Sequence, residues 1–356
     1  MDTQVVAARY AALARALPGV ELCYAVKANP LPGVLDTLAS LDASFDIASD
    51  AELRLCLDQG MAPSRLSFGS PVKSAVAIAR AYEAGVRRFT VDARAELDKV
   101  AVHAPGASVL VRLATSGRGA EWPLSRKFGC DPVTALDLLR RARALGLHPD
   151  GLTFHVGSQQ TDPSQWDAPI AACATIFSTL HREGIHLPCL NVGGGFPAPY
   201  GTPVPAIEAV GEAILESVRR HFGQAAPRLM AEPGRYLVAE AGVIEAQVVL
   251  VADRASGEPR RWVYIDCGKF GGLAETADEA IRYPLHVPGR HGDPVRVALA
   301  GPTCDSADIL YERTPCLLPG DIREGDRLRI LCAGAYTYTY ASVGFNGFPP
   351  LTAVAI

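Results

Sequence analysis

Leu22-Cys23-Tyr24-Ala25-Val26-Lys27-Ala28-Asn29-Pro30 opens on five apolar residues, delivers one lysine and stops at a proline. An apolar run without polar alternation suits a strand covered on both faces, as in a parallel sheet flanked by helices. Working outward, runs of the same kind recur at residues 44–48, 65–68, 87–91, 108–113, 151–155, 189–192 and 228–231. Helical patterns lie between them at 32–41, 50–59, 72–84, 93–102, 132–145, 165–182 and 206–222, with Asp50 and Asp92 expected as N-caps. Strands alternating with helices imply a parallel sheet, and a count of eight favours a closed (β/α)8 TIM barrel over an open doubly wound sheet. After about Tyr236 the rhythm changes. Residues 242–251, 261–265, 295–300 and 327–332 read as strands without long helices between them. The expected organisation is therefore a barrel over 1–240 and a C-terminal β-rich domain over 241–356.

Bulk composition narrows the function by exclusion. A net charge of −4 offers no basic footprint for nucleic acid. No apolar run approaches the roughly 20 residues of a membrane-spanning helix, and Met1-Asp2 begins nothing resembling a secretory signal. Nine scattered cysteines without a C-x-x-C pair suit reduced thiols and a cytoplasmic setting. Eight histidines lack ligand-like spacing, so no metal is expected.

The unusual residues fall at strand ends. Lys27 follows the first run, Asp46 lies in the second, Arg112 is near the end of the fifth and His155 ends the sixth. Gly193-Gly194-Gly195 follow the seventh run, and Glu232-Pro233-Gly234-Arg235 follow the eighth. Barrel enzymes build their sites at the C-terminal ends of the strands, often holding phosphate on the loops after strands 7 and 8. Each residue also has a plainer reading. Lys27 is a solvated lysine or, desolvated at a barrel mouth, a Schiff-base amine. His155 is a backbone-bonded core histidine or a flat ring stacked on a cofactor. Three glycines make a turn or a close approach to phosphate oxygens. The Glu232–Arg235 segment is a surface turn, or a carboxylate for a pyridinium nitrogen beside a glycine amide for phosphate. Their joint placement favours the functional set.

These residues sit in motifs that together resemble the alanine-racemase-fold (type III) pyridoxal-phosphate decarboxylases, in particular the ornithine decarboxylase branch. The motifs are YAVKAN (24–29), HVGSQ (155–159), GGGFP (193–197), EPGRY (232–236), GPTCDSAD (301–308), GAYT (334–337) and FNGF (345–348), spread over nearly the whole chain. The resemblance implies pyridoxal 5′-phosphate as cofactor, held by Lys27, with His155 stacked on its ring and Glu232 keeping the ring nitrogen protonated. It places Ser158, Gly194, Gly195, Gly234, Arg235 and Tyr336 around the phosphate, with Asp46 and Arg112 tuning the groups near Lys27 and the ring oxygen. It further implies a homodimer with shared sites, in which Cys304 delivers a proton and Asp305 binds the distal amine of the substrate. Phe345 belongs to the same substrate side, and Lys127 with Asp308 would bridge the dimer interface. Asp278 or Glu279 is expected on a short helical turn that helps set the preferred chain length.

The implied reaction is decarboxylation of a basic L-amino acid, with ornithine giving putrescine and CO₂. Lysine, arginine, diaminopimelate or a carboxylated polyamine are the alternative substrates. A partner-binding relative without activity, of the antizyme-inhibitor kind, need not keep Lys27, His155, Glu232 and Cys304. A racemase of this fold usually sets an arginine, not a glutamate, against the ring nitrogen. Family members also carry a strand before the first barrel helix, whereas Met1 lies almost directly on a helical run at 5–17. Either the β-rich domain manages without that strand or the start lies upstream.

Overall fold

The computed structural model describes all residues except 125, 258 and 350. Two compact units emerge. One comprises Val6–Pro197 with Val204–Leu237; the other comprises Met1–Val5, Ala198–Pro203 and Val238–Ile356.

The first unit is the barrel. Its strands are β1 (Glu21–Ala25), β2 (Ser44–Ile47), β3 (Leu66–Phe68), β4 (Arg88–Val91) and β5 (Ser108–Leu113). After a short pair of strands, β6 (Ala120–Trp122) with β8 (Ser158–Gln160), come β7 (His148–Phe154), β9 (Cys189–Asn191) and β10 (Arg228–Ala231). The parallel order β1-β10-β9-β7-β5-β4-β3-β2 closes on itself, since β1 pairs with both β2 and β10. Apolar runs became strands because both of their faces are covered: Val109, Leu110 and Val111 in succession are wholly buried. Cys23, Leu110, Cys189 and Met230 fill the centre, where cysteine acts as a small hydrophobe. Opposite charges gather at the N-terminal strand ends. Glu21 of β1 pairs with Arg88 of β4 (3.3 Å) and with Arg228 of β10, and Arg88 also meets Asp150 of β7 (3.4 Å).

Two expected N-caps need correction. Ser49 caps the helix Asp50–Asp58 by accepting from the Glu52 amide, and Asp50 is its first residue, paired with Arg54 and Arg80. Asp92 accepts instead from the Gly129 amide (2.7 Å), and Ala93 precedes the helix Arg94–His103 without a side-chain cap.

The second unit is a six-stranded sheet in the order β13-β16-β11-β12-β14-β15. The strands are β11 (Ile244–Asp253), β12 (Arg261–Ile265), β13 (Leu285–His286), β14 (Pro294–Ala300), β15 (Ile309–Pro319) and β16 (Arg327–Ile330). It takes in Met1–Val5 and Ala198–Pro203, which a cut after residue 240 leaves with the barrel. The Met1 ammonium donates to the Val354 carbonyl and the Asp2 amide to Ala241, while Tyr200 packs edge-on to Tyr283. Between Tyr311 and Cys316, β15 bulges away from Leu299 and Val297 of β14. No helix among the described residues is long and apolar enough to cross a membrane, and these residues contain no metal-ligating cluster.

Candidate active site

Strand pairing sets some of the barrel's chemical residues side by side. Ala25 of β1 is opposite Asp46 of β2; Arg112 of β5 is opposite Thr153 of β7; Thr153 is opposite Asn191 of β9, which neighbours Met230 of β10. The chain then leaves each strand at its C-terminal end. Lys27 sits exposed on the 3₁₀ turn Val26–Ala28 after β1, and His155 directly follows β7. Gly193–Gly195 follow β9, and Glu232, Gly234 and Arg235 follow β10. Cross-links between the exit loops fix their spacing: the Ala25 amide donates to the Pro233 carbonyl (2.9 Å) and the Glu232 amide to Gly193 (2.8 Å).

Charge is unevenly distributed among these groups. Burial drives the Asp46 carboxyl well above the usual range, and the nearby Glu232 charge pushes it further, with Lys27 opposing. Its Oδ1 is buried without a hydrogen-bond partner. Glu52, which the sequence reading passed over, is also raised by burial and lies within the field of Lys27, while accepting from the Ala48 amide (2.6 Å). Desolvation keeps His155 neutral, reinforced by the charges of Arg112 and Lys27. Nδ1 of His155 accepts from the Gly157 amide (3.0 Å), which leaves the ring proton on Nε2. Burial works against the Arg112 charge, the carboxylates of Glu232, Asp92 and Asp46 support it, and its guanidinium lies 5.3 Å from the Phe128 ring centre. Arg235, 4% exposed, donates from Nε (3.3 Å) and Nη2 (3.2 Å) to Ser158 Oγ. A buried cation and a hydroxyl thus stand beside the glycine loop, a donor set suited to a phosphate.

Residues 3–239 match the family model described as pyridoxal-dependent decarboxylase, pyridoxal binding domain. The chain belongs to this family. The decarboxylase is 35% identical over 340 residues to a lysine/ornithine decarboxylase of Selenomonas ruminantium, covering 95% of this chain and 84% of that protein. The crystal structure of a lysine/ornithine decarboxylase from Vibrio vulnificus complexed with cadaverine superposes with a TM-score of 0.90 at 33% identity, covering 100% of this chain and 93% of that one. An arginine decarboxylase of Paramecium bursaria Chlorella virus bound to agmatine gives 0.91 at 26% identity, covering 100% and 94%. The enzyme is a pyridoxal-phosphate-dependent decarboxylase of basic amino acids of the lysine, ornithine or arginine type.

The barrel residues fit that cofactor. Lys27 would provide the amine, Glu232 an anion for a cationic ring nitrogen, and His155 a neutral ring. Arg235, Ser158 and the loop of Gly194 and Gly195, with Gly234, would provide for the phosphate. Two neighbouring carboxylates, one with an orphaned oxygen, form an environment that favours a positive group.

Residues expected on the substrate side lie in the second unit. Cys304 is the exposed member of the nine cysteines, and its amide (3.3 Å) and Sγ (3.5 Å) both reach Asn346 Oδ1. Asp305 is exposed next to it. Phe345 stacks at a tilt on Phe270, ring centres 4.6 Å apart, on the wall of a cleft of about 250 Å³ that Thr303 and Phe348 also line. Tyr336 has a positive φ of 53° and packs against Tyr340. Asp278 and Glu279 diverge. Asp278 is exposed, 3.7 Å from Arg313. Glu279 is not available as an acid for the substrate. Its carboxylate accepts from the amides of Glu312 (2.8 Å), Arg313 (2.7 Å) and Thr314 (3.0 Å), and from Arg282 (3.3 Å). Those amides lie in the β15 bulge, where no strand partner exists, so the residue is structural. Asp308 is 2% exposed and is taken up by its own chain, accepting from the Lys269 amide (2.8 Å) and Thr303 Oγ1 (2.7 Å). Lys127 rests its ammonium 5.0 Å from the Phe128 ring centre.

Proposed function

We propose that the enzyme decarboxylates L-ornithine to putrescine and CO₂, as a homodimer whose sites combine residues of two copies. The observation that carries decarboxylation is a carboxylate, Glu232, gathered with Lys27, Asp46 and Arg112 at the strand exits, because an anion set against the ring nitrogen would keep that nitrogen protonated and the ring electron-poor. When bound, pyridoxal phosphate supplies an aldehyde for an amine and a conjugated ring that accepts the electron pair left as CO₂ departs. The chain's own residues supply position and protons. Lys27 Nζ would hold the cofactor's aldehyde carbon and, once free of it, would be able to carry a proton. Arg235, Ser158, Gly194 and Gly195 would hold the phosphate, and the uncharged His155 would lie against the ring. Asp305 offers its carboxylate to the substrate's distal ammonium. Cys304 gives the proton of Sγ to the Cα that has lost its carboxyl, and Asn346 Oδ1 fixes the direction of the thiol.

Lysine is the second reading, favoured by the Selenomonas relative, a lysine/ornithine decarboxylase, and by the cadaverine in the Vibrio complex. Release of CO₂ from ornithine, lysine, arginine and diaminopimelate tests both. The expected order places ornithine first in kcat/KM; preference for arginine or diaminopimelate would overturn it. For the dimer, Lys27→Ala and Cys304→Ala enzymes, each inactive, are expected to recover partial activity when their subunits exchange. Demonstrated exchange without recovery excludes a site built from two copies.

A further inference from the structure

Asn191 ends β9 and is wholly buried, a lone polar side chain in an apolar run. Its Oδ1 accepts from the Gly193 amide (2.9 Å), and its Nδ2 donates to Glu232 Oε1 (2.6 Å). The first bond decides the second. A backbone N–H must meet an oxygen, so the amide group is oriented with its nitrogen toward the carboxylate. That nitrogen donates and cannot accept. Glu232 therefore meets, on that oxygen, a donor whose direction is fixed.

We propose that Asn191 is a positioning residue for the reaction: it holds Glu232 in one rotamer and ties that carboxylate to the glycine loop. This rests on the family's use of Glu232 at the ring nitrogen and goes beyond it by assigning a residue that acts through Glu232. One strand end thereby sets two features together, the anion through Nδ2 and the start of the phosphate loop through Oδ1. Sequence offered a faint signal only, an amide residue two positions before three glycines.

Asn191→Asp is close to isosteric and gives a sharp test. With one oxygen still accepting from Gly193, the other faces Glu232 Oε1 at the same short distance, and two carboxylates that close must share a proton. In the cofactor-free protein this raises a carboxyl pKa above its unfolded value. The variant's melting temperature should then fall, relative to wild type, as pH rises above the ordinary carboxylate range of about 4. In the holoenzyme, Asn191→Asp and Asn191→Leu should each lose about tenfold or more in kcat, the worth of a hydrogen bond to a charged group, with KM changed far less. Asn191→Leu should show no extra pH dependence in its melt. If Asn191→Leu does not fold, Asn191→Ser takes its place. In a Glu232→Gln background, substitution at 191 should cost little more. An Asn191→Asp melt that parallels wild type at every pH, or full additivity with Glu232→Gln, would overturn the proposal. The melts need neither cofactor nor substrate, so their outcome is separable from any failure of the substrate assignment.

Discussion

Gly194 has no room for a side chain. A Cβ there would lie 2.6 Å from the Glu232 carbonyl oxygen and 3.2 Å from His155 Nε2, and neither can retreat, because one is backbone and the other is pinned through its Nδ1. Gly194→Ala should weaken pyridoxal phosphate binding by roughly tenfold or more, since overpacking of this kind costs about 1–3 kcal/mol. Equilibrium dialysis against the cofactor-free protein measures it. At this scale the barrel residues were legible because each chemical group stands where an apolar run ends, and Lys27, His155, the glycines and Glu232 stay at those ends in the structure. Asn191 was not legible: inside Cys189–Asn191 it reads as one polar residue of a strand, and only the third dimension sets its amide against Glu232. Glu279 misled for the complementary reason. An acid on a short turn looks available until the amides that occupy it, over 30 residues downstream, are folded against it.

Among the elements, β15 shows how a side chain completes a sheet. Its bulge leaves the amides of Glu312, Arg313 and Thr314 without a strand, and Glu279 receives all three. Burial alone would raise the Glu279 pKa, but these amides, with Glu312 foremost, bring it down to about 2. An unfolded glutamate titrates near 4.3, so the folded form binds its proton later than the unfolded form. The resulting stability is full above that value and is lost as pH falls toward 2. Glu279→Gln should lower stability by about 2 kcal/mol at pH 7. The gap from wild type should narrow in melts taken between about pH 5 and 2. The barrel strands were legible as elements, each lying within a few residues of its apolar run. β15 was missed because Pro315 and the charges at Glu312 and Arg313 disguise a strand, features tolerated there because β15 is an edge. The N-cap at Ser49 was displaced by one residue because Asp50 offered an equally good cap on composition.

Over the whole molecule, the barrel separates its duties by end. Chemistry gathers where the strands exit, while Glu21, Arg88, Asp150 and Arg228 alternate in sign where they enter. Glu21→Gln takes one carboxylate partner from the half-buried Arg88 and the exposed Arg228, each of which still reaches Asp150, and should destabilise the protein by about 1 kcal/mol. Adding Arg228→Gln should cost less than the sum of the two single changes, a coupling that thermal melts of the double-mutant cycle would report. Because β1 is zipped to β10 as well as to β2, no barrel strand can peel off singly; any opening has to sever two ladders together. The other sheet has loose margins at β13 and β15, each leaning on one neighbour. Fraying under heat therefore begins there, and the coenzyme's cradle is among the last parts to come undone.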